Sequence, residues 1–252
     1  MECRQLSQAV EHCLPASQME ISVVIPCLNE ARTIGSCIHK AQRAFERRGI
    51  NGEVVVVDNG SGDASAAIAH AHGARVVYVQ HKGYGSALRG GIAATCSNLV
   101  IMADADDSYD LSELDLFIDR LRAGDDLVVG NRFKGGIRAG AMPWHHRYIG
   151  NPILSGILNL FFHTPIRDAH CGIRGFRKDS YMRLGLKSTG MEFASEMVVK
   201  AALARQKMSE VPTTLYPDGR GRPPHLRSFR DGWRHLSFLM RTKFASIFRD
   251  LI

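Results

Sequence analysis

The chain has 252 residues, 45% of them hydrophobic and 23% charged, which marks an ordinary globular protein with a sizeable core: one large domain, or one domain plus an appendage. A formal charge of +7 and a pI near 9.3 favour an anionic partner and leave nucleic acid, an anionic membrane surface and a phosphorylated metabolite as candidates. The six cysteines show neither CxxC nor zinc-finger spacing and read as reduced, buried thiols, and the first twenty residues lack the apolar stretch of a secretory signal. The greasiest segment, PILSGILNLFF at 152–162, is too short to span a bilayer, so a cytoplasmic protein is expected.

After an N-terminal extension (1–20), short β-branched runs alternate with longer amphipathic stretches. Strands are predicted at 21–25, 53–57, 75–79, 99–103 and 127–130. Helices are predicted between them: 31–48, where Ile34, Ile38, Ala41 and Phe45 share a face, then 64–72, 86–95 and 112–122, the last with Ser112 and Asp115 spaced as a capping box. The second half is less regular: a Gly-rich turn at 134–140, a helix at 149–162, a polar stretch RDAHCGIRGF, a helix at 193–205 and short strands around SEVPTTLY. The fold class is therefore α/β, a mostly parallel central sheet flanked by helices.

In such sheets ligands bind beyond the carboxyl ends of the strands, and the residues there are polar: NE, DNGSGD, HKGYG and DADD. In an extended segment Asp104 and Asp106 point the same way, and two converging carboxylates call for a cation between them, as a hard divalent metal held with phosphate oxygens would supply. The alternative, decoration of a helix start, suits Asp110 better and leaves Asp107 unassigned. Asp58 ends the second strand, where it is placed to accept hydrogen bonds from a base or ribose, while Asp63 reads as a helix cap. Gly83 and Gly85 suggest a backbone cradle with Lys82 available to a phosphate. The GxG does not make a Rossmann dehydrogenase, because Leu88 replaces the third glycine and the loop follows the third strand.

Taken in order, VVIPCLNE, VVVVDNGSGD, KGYGSALRGG and MADADDSYD resemble the inverting glycosyltransferases of family 2, above all the dolichol-phosphate mannose and glucose synthases, from about Ile21 to Phe238. That resemblance implies a GT-A nucleotide-diphospho-sugar transferase fold and a catalytic domain at 21–216, followed by a basic loop and amphipathic helix at 217–252. It implies a GDP- or UDP-hexose donor held by Pro26, Leu28, Asn29, Glu30, Asp58, Asn59, Gly60, Lys82, Gly83 and Ala105, with Mg or Mn on Asp104 and Asp106. GNRFKGG nominates Arg132, DAHCGIRGFR nominates Asp168 and Arg174, and MEFASE nominates Glu192 and Glu196. Arg220 and Arg222 resemble the late basic loop that folds over the diphosphate. Asp107 and Ser108 depart from the leucine and glutamine often found after the DxD of mannose synthases.

The resemblance implies a polyprenyl or dolichyl phosphate acceptor. Between Pro217 and Asp250 eight Lys/Arg face three Asp beside Trp233, Phe238, Phe244 and Phe248, which suits an interfacial helix at the cytoplasmic face of a membrane and equally a helix packed on the core. Alternatives are a soluble transferase with a hydroxyl acceptor, for which Asp168 or Glu192 would be the base, and a nucleotide-binding regulator. No nucleic-acid motif is visible. A homo-oligomer is compatible with the sequence.

Overall fold

The computed structural model describes residues 19–221 and 228–250, with side chains of the last helix described over 232–244. Seven strands form one sheet in the order β3-β2-β1-β4-β6-β5-β7: β1 (Ile21–Cys27), β2 (Gly52–Asp58), β3 (Arg75–Tyr78), β4 (Leu99–Met102), β5 (Leu127–Asn131), β6 (Arg174–Arg177) and β7 (Met208–Pro212). All run parallel except β6, which is antiparallel to both β4 and β5. Val54 to Val57 are all buried because helices cover both faces of the sheet, which is why the central strands read as continuous β-branched runs.

The helices between strands are α1 (Ile34–Arg48), α2 (Ser65–Ala71), α3 (Tyr84–Ala94), α4 (Asp115–Arg122) and the single turn α5 (Arg132–Gly135). In α1 the predicted face is the buried one, and the helix stops at Gly49, whose φ of 59° a side chain rarely adopts. A π-helical turn, His146–Gly150, then runs into α6 (Asn151–Phe162), followed by α7 (Lys178–Leu184), α8 (Phe193–Leu203) and α9 (Ser228–Asp250). No helix among the described residues is long and apolar enough to cross a membrane.

The five predicted strands match within three residues at each end, but three expectations fail. β6 reads as polar because RGFR contains two arginines, yet Arg174 is fully buried and the strand pairs on both sides. SEVPTTLY holds one strand, with Leu215 adding only a bridge to Ile137. Ser112 does not cap α4; it closes a turn on Asp110, whose Oδ1 accepts from the Ser112 amide (3.0 Å) and hydroxyl (2.7 Å), so the helix starts later. Cys27, Cys37 and Cys171 are free and buried as expected, whereas Cys96 is disulfide-bonded.

The chain steps outward from β1 to β2 to β3, then returns to place β4 on the other flank of β1. Beyond the carboxyl ends of β1 and β4 this reversal opens a crevice, and the acidic loops meet there.

Candidate active site

Around β1 and β2 the loops are zipped to each other. Asn29, at φ 58°, accepts from the Gly62 amide (2.7 Å), while the Ser61 and Ser65 hydroxyls accept from the amides of Asn29 (2.9 Å) and Glu30 (2.7 Å). Asp58 turns its carboxylate back onto the amides of Gly60 (3.1 Å) and Ser61 (3.3 Å), and Asp63 accepts from the Ser65 amide at the start of α2 (3.0 Å). Asn59 bridges the carbonyls of Val79 and His81 to the Gly83 amide, each at 2.8 Å. These bonds set the β2 tip rigidly beside Pro26, Leu28 and Glu30.

Lys82 and Gly83 differ from expectation. The ammonium donates to the carbonyls of Asn59 (3.1 Å) and Gly60 (3.4 Å). A Cβ on Gly83 would lie 2.2 Å from the Thr189 carbonyl, and one on Gly85 2.4 Å from that of Ser188. The glycines serve backbone-on-backbone packing with the 187–190 loop, which leaves no room for a phosphate at that contact. That loop is in turn held by Glu196, which accepts from the amides of Lys187 (3.0 Å) and Ser188 (2.7 Å) and pairs with Lys200 (2.9 Å).

Just past the end of β4, Ala105 is part of the core, and Asp104 and Asp106 lie near enough for the charge of Asp106 to act on Asp104. Burial first and the Asp106 charge second push the Asp104 carboxyl up to about 6. Its Oδ1 accepts from the Tyr84 hydroxyl at 3.0 Å, and a Cβ on Gly172 would lie 2.0 Å from its Oδ2, so only glycine fits at 172. Asp106 Oδ1 accepts from the Ser108 hydroxyl (2.5 Å) and amide (3.1 Å). Its Oδ2 takes the Arg220 guanidinium at 2.8 Å, which also reaches Glu30 at 3.5 Å and Asp218 at 3.7 Å. Arg220 Nε is buried with no hydrogen-bond partner among the described residues, a donor still waiting for an acceptor. Asp107 belongs elsewhere: at φ 61° it ties the loop to α1 through Lys40 (2.8 Å) and Ser36 (3.0 Å).

Further along the same edge, Arg132 and Asp168 are both buried and bonded three ways. The Arg132 amide and Nε donate to Oδ2 (3.0 and 2.8 Å), and Nη2 donates to Oδ1 (2.7 Å). Arg174, fully buried, donates to the carbonyls of Cys171 (3.1 Å), Ala194 (2.7 Å) and Ala169 (2.6 Å), so it holds the turn from which Asp168 projects. Glu192 pairs with Arg234 of α9 at 2.7 Å, and its buried Oε2 has no partner among the described residues. Arg222 lies outside the described residues. Tyr84 and Gly172, which shape the Asp104 carboxylate, went unnoticed in sequence: each sits in a nominated motif, but only the fold brings it to β4.

A GT-A architecture with two carboxylates converging at the β4 tip defines a nucleotide-sugar-dependent transferase class. The chain belongs to glycosyl transferase family 2, whose pattern it matches over residues 22–185. It is 41% identical over 221 residues to the low-salt glycan biosynthesis hexosyltransferase Agl6 of Haloferax volcanii, covering 87% of this chain but 53% of that one, so it spans about half of that relative's length. It is 30% identical over 194 residues to the dolichyl-phosphate hexose transferase of the same organism, covering 77% of this chain and 81% of that one. Glucosyl-3-phosphoglycerate synthase of Mycobacterium tuberculosis, solved with Mn2+, UDP and glucosyl-3-phosphoglycerate, shares the fold with a TM-score of 0.65 at 22% identity over 96% of this chain and 81% of that one.

Proposed function

We propose that the protein transfers a hexose, with inversion, from a nucleotide diphosphate sugar to a polyprenyl or dolichyl phosphate, with a divalent cation, at a membrane surface. The observation that carries the donor half is the carboxylate pair Asp104–Asp106, which with Glu30 shares the single Arg220 guanidinium, beside the buried Arg220 Nε that has no hydrogen-bond partner among the described residues. Two adjacent carboxylates supplying hard oxygen donors, with the Asp104 pKa raised by burial and by the Asp106 charge, fit Mg or Mn held together with phosphate oxygens and water. The fold-sharing mycobacterial synthase was solved with Mn2+ or Mg2+ and UDP, which supports this choice. When bound, such a cation would offset the charge gathering on the departing diphosphate.

The protein's own groups divide the rest. Asp104 and Asp106 would hold the cation, Tyr84 and Ser108 would keep those carboxylates oriented, and Arg220 would meet the diphosphate through Nε. The tips of β1 and β2, at Pro26, Leu28, Asn29, Glu30 and Asp58, would seat the nucleoside. In the transfer the bond from the anomeric carbon to the diphosphate oxygen breaks and one to an acceptor oxygen forms on the opposite face. A phosphate acceptor is already an anion and needs placement rather than deprotonation. Asp168 and Glu192, the two candidate bases for a hydroxyl acceptor, are bonded to Arg132 and Arg234, which favours the phosphate acceptor. Similarity to a dolichyl-phosphate hexose transferase favours it as well.

The test is incubation of the purified chain with UDP- and GDP-hexoses, Mg or Mn, and a polyprenyl phosphate, with mass spectrometry of the lipid fraction and NMR of the anomeric centre. A phosphohexosyl lipid of inverted configuration is expected. Transfer to hydroxyl acceptors alone would refute the reading.

A further inference from the structure

Resting on the lipid-phosphate reading of the acceptor, we propose that the outer face of α6, with the π-helical turn before it, is a docking surface for an anionic lipid membrane. The helix is buried through Ser155, Leu158 and Phe162. On the opposite side, where a helix surrounded by water would carry polar groups, Ile149, Ile153 and Leu160 are 47%, 54% and 71% exposed at helical spacing. Gly156 lies between them, and a Cβ there would touch nothing within 4 Å. Trp144 and Tyr148, each 67% exposed, extend this stripe on the N-terminal side with side chains that suit a lipid–water boundary. A contiguous apolar stripe of this kind marks an interaction surface, and twelve residues are too few to cross a bilayer.

Charge decides the occupant. From residue 131 to 167 the chain carries five Lys/Arg and no Asp or Glu. Arg132 and Lys134 are committed to Asp168 and Glu210, but Arg138, Arg147 and Arg167 have no carboxylate partner among the described residues. A second copy seated on this face would bring like charges together, whereas an anionic lipid surface complements them. The neighbouring α9, held by Lys243 donating to the Phe161 carbonyl at 3.0 Å, adds Trp233 and Phe244, 69% and 55% exposed. The sequence alone points to α9 as the interfacial element; in the fold α6 presents an exposed apolar stripe of its own. Between α5 and α6 lies a groove of about 380 Å³ edged by Lys134 and Arg167. A membrane on this face would offer a lipid phosphate to Arg167.

Co-sedimentation with phosphatidylglycerol-containing vesicles, and with phosphatidylcholine vesicles alone, tests the surface without donor sugar or polyprenyl phosphate. The full chain is expected to prefer the anionic vesicles and to lose binding with added salt. An Ile153→Asn, Leu160→Asn double variant, with unchanged circular dichroism and Tm, should bind about tenfold less, as expected when two apolar anchors are withdrawn from the interface. Equal binding to both vesicle types overturns the proposal, as does wild-type binding by the double variant. A concentration-dependent dimer that the double variant dissolves overturns it in favour of self-association. The acceptor reading is scored separately in detergent with a short, water-soluble polyprenyl phosphate. Lost vesicle binding with intact transfer there refutes the surface alone, and vesicle binding with no phosphohexosyl product refutes the acceptor alone.

Discussion

At one edge of a single sheet, the tips of β1 and β4 gather Glu30, Asp104 and Asp106 around one guanidinium, that of Arg220, whereas the tips of β5 and β6 match their charges within the fold. In the first cluster burial, with the Asp106 charge added to it, holds Asp104 at about 6, and the arginine that offsets the carboxylates comes from a loop 114 residues further along the chain. In the second, Asp168 absorbs Arg132 through three hydrogen bonds of 2.7–3.0 Å, and Arg174 ends on backbone carbonyls. A cluster that balances itself is scaffolding. One that does not is where a ligand's charge is expected.

The comparison predicts opposite outcomes for the same chemical change. Asp106→Asn should lower transfer by roughly 10²–10³, the cost of removing one preorganised electrostatic partner, and abolish Mn2+ binding in an electron paramagnetic resonance titration. Its urea midpoint should hold or rise, because carboxylate repulsion is relieved. Asp168→Asn should act through the fold: with Arg132 left buried and half-paired, stability should fall by about 3–5 kcal/mol in urea unfolding. Loss of stability in the first variant, or full stability with lost Mn2+ binding in the second, would reverse the assignment of the two clusters.

Much of the first cluster was legible because it is local. The alternation in DADD places two carboxylates together without knowledge of the rest of the chain, and β-branched runs announce the strands that carry them. What escaped was non-local. Gly83 and Gly85 look like a phosphate cradle until the 187–190 loop is seen packed on them. Asp168 looks like a base until Arg132 closes on it. Strand β6 was hidden because its arginines break the apolar pattern, and Arg174 can be buried only because three carbonyls from two separate segments converge on it. Asp107 could not be assigned from its spacing in DADDSYD, since its partner Lys40 lies far away in sequence, on α1.

Arg220 ties the first cluster to the charge of the proposed diphosphate. Arg220→Gln removes the cation that holds Asp106 Oδ2, so the chain without nucleotide should bind Mn2+ more tightly. Transfer should nonetheless fall by roughly 10- to 100-fold, the ~1.5–3 kcal/mol of one charge-assisted hydrogen bond. The split between Mn2+ affinity and turnover is the diagnostic measurement, because a merely structural arginine would move neither in that pattern.

The smallest effect concerns the balanced side, where neutrality extends to histidine. His170 Nε2 lies 3.2 Å from the Ser195 hydroxyl, which is 2.7 Å from His235 Nδ1, with the two rings edge to face at 4.7 Å. Burial, then His235, then the Arg174 and Arg132 charges hold the His170 pKa well below its usual value. As pH falls below ~6.5 the unfolded chain therefore takes up a proton that the folded chain refuses, and stability is lost at up to about 1.4 kcal/mol per pH unit until the depressed folded pKa is reached. Asp104 works the other way, since its raised pKa lets the folded chain hold the extra proton between roughly pH 4 and about 6. His170→Gln, which keeps a partner for Ser195, should flatten the acid-side decline in urea midpoint measured from pH 7 to 5. An unchanged slope would mean that His170 accepts its proton in place, and that the second cluster is less sealed than its bonds imply.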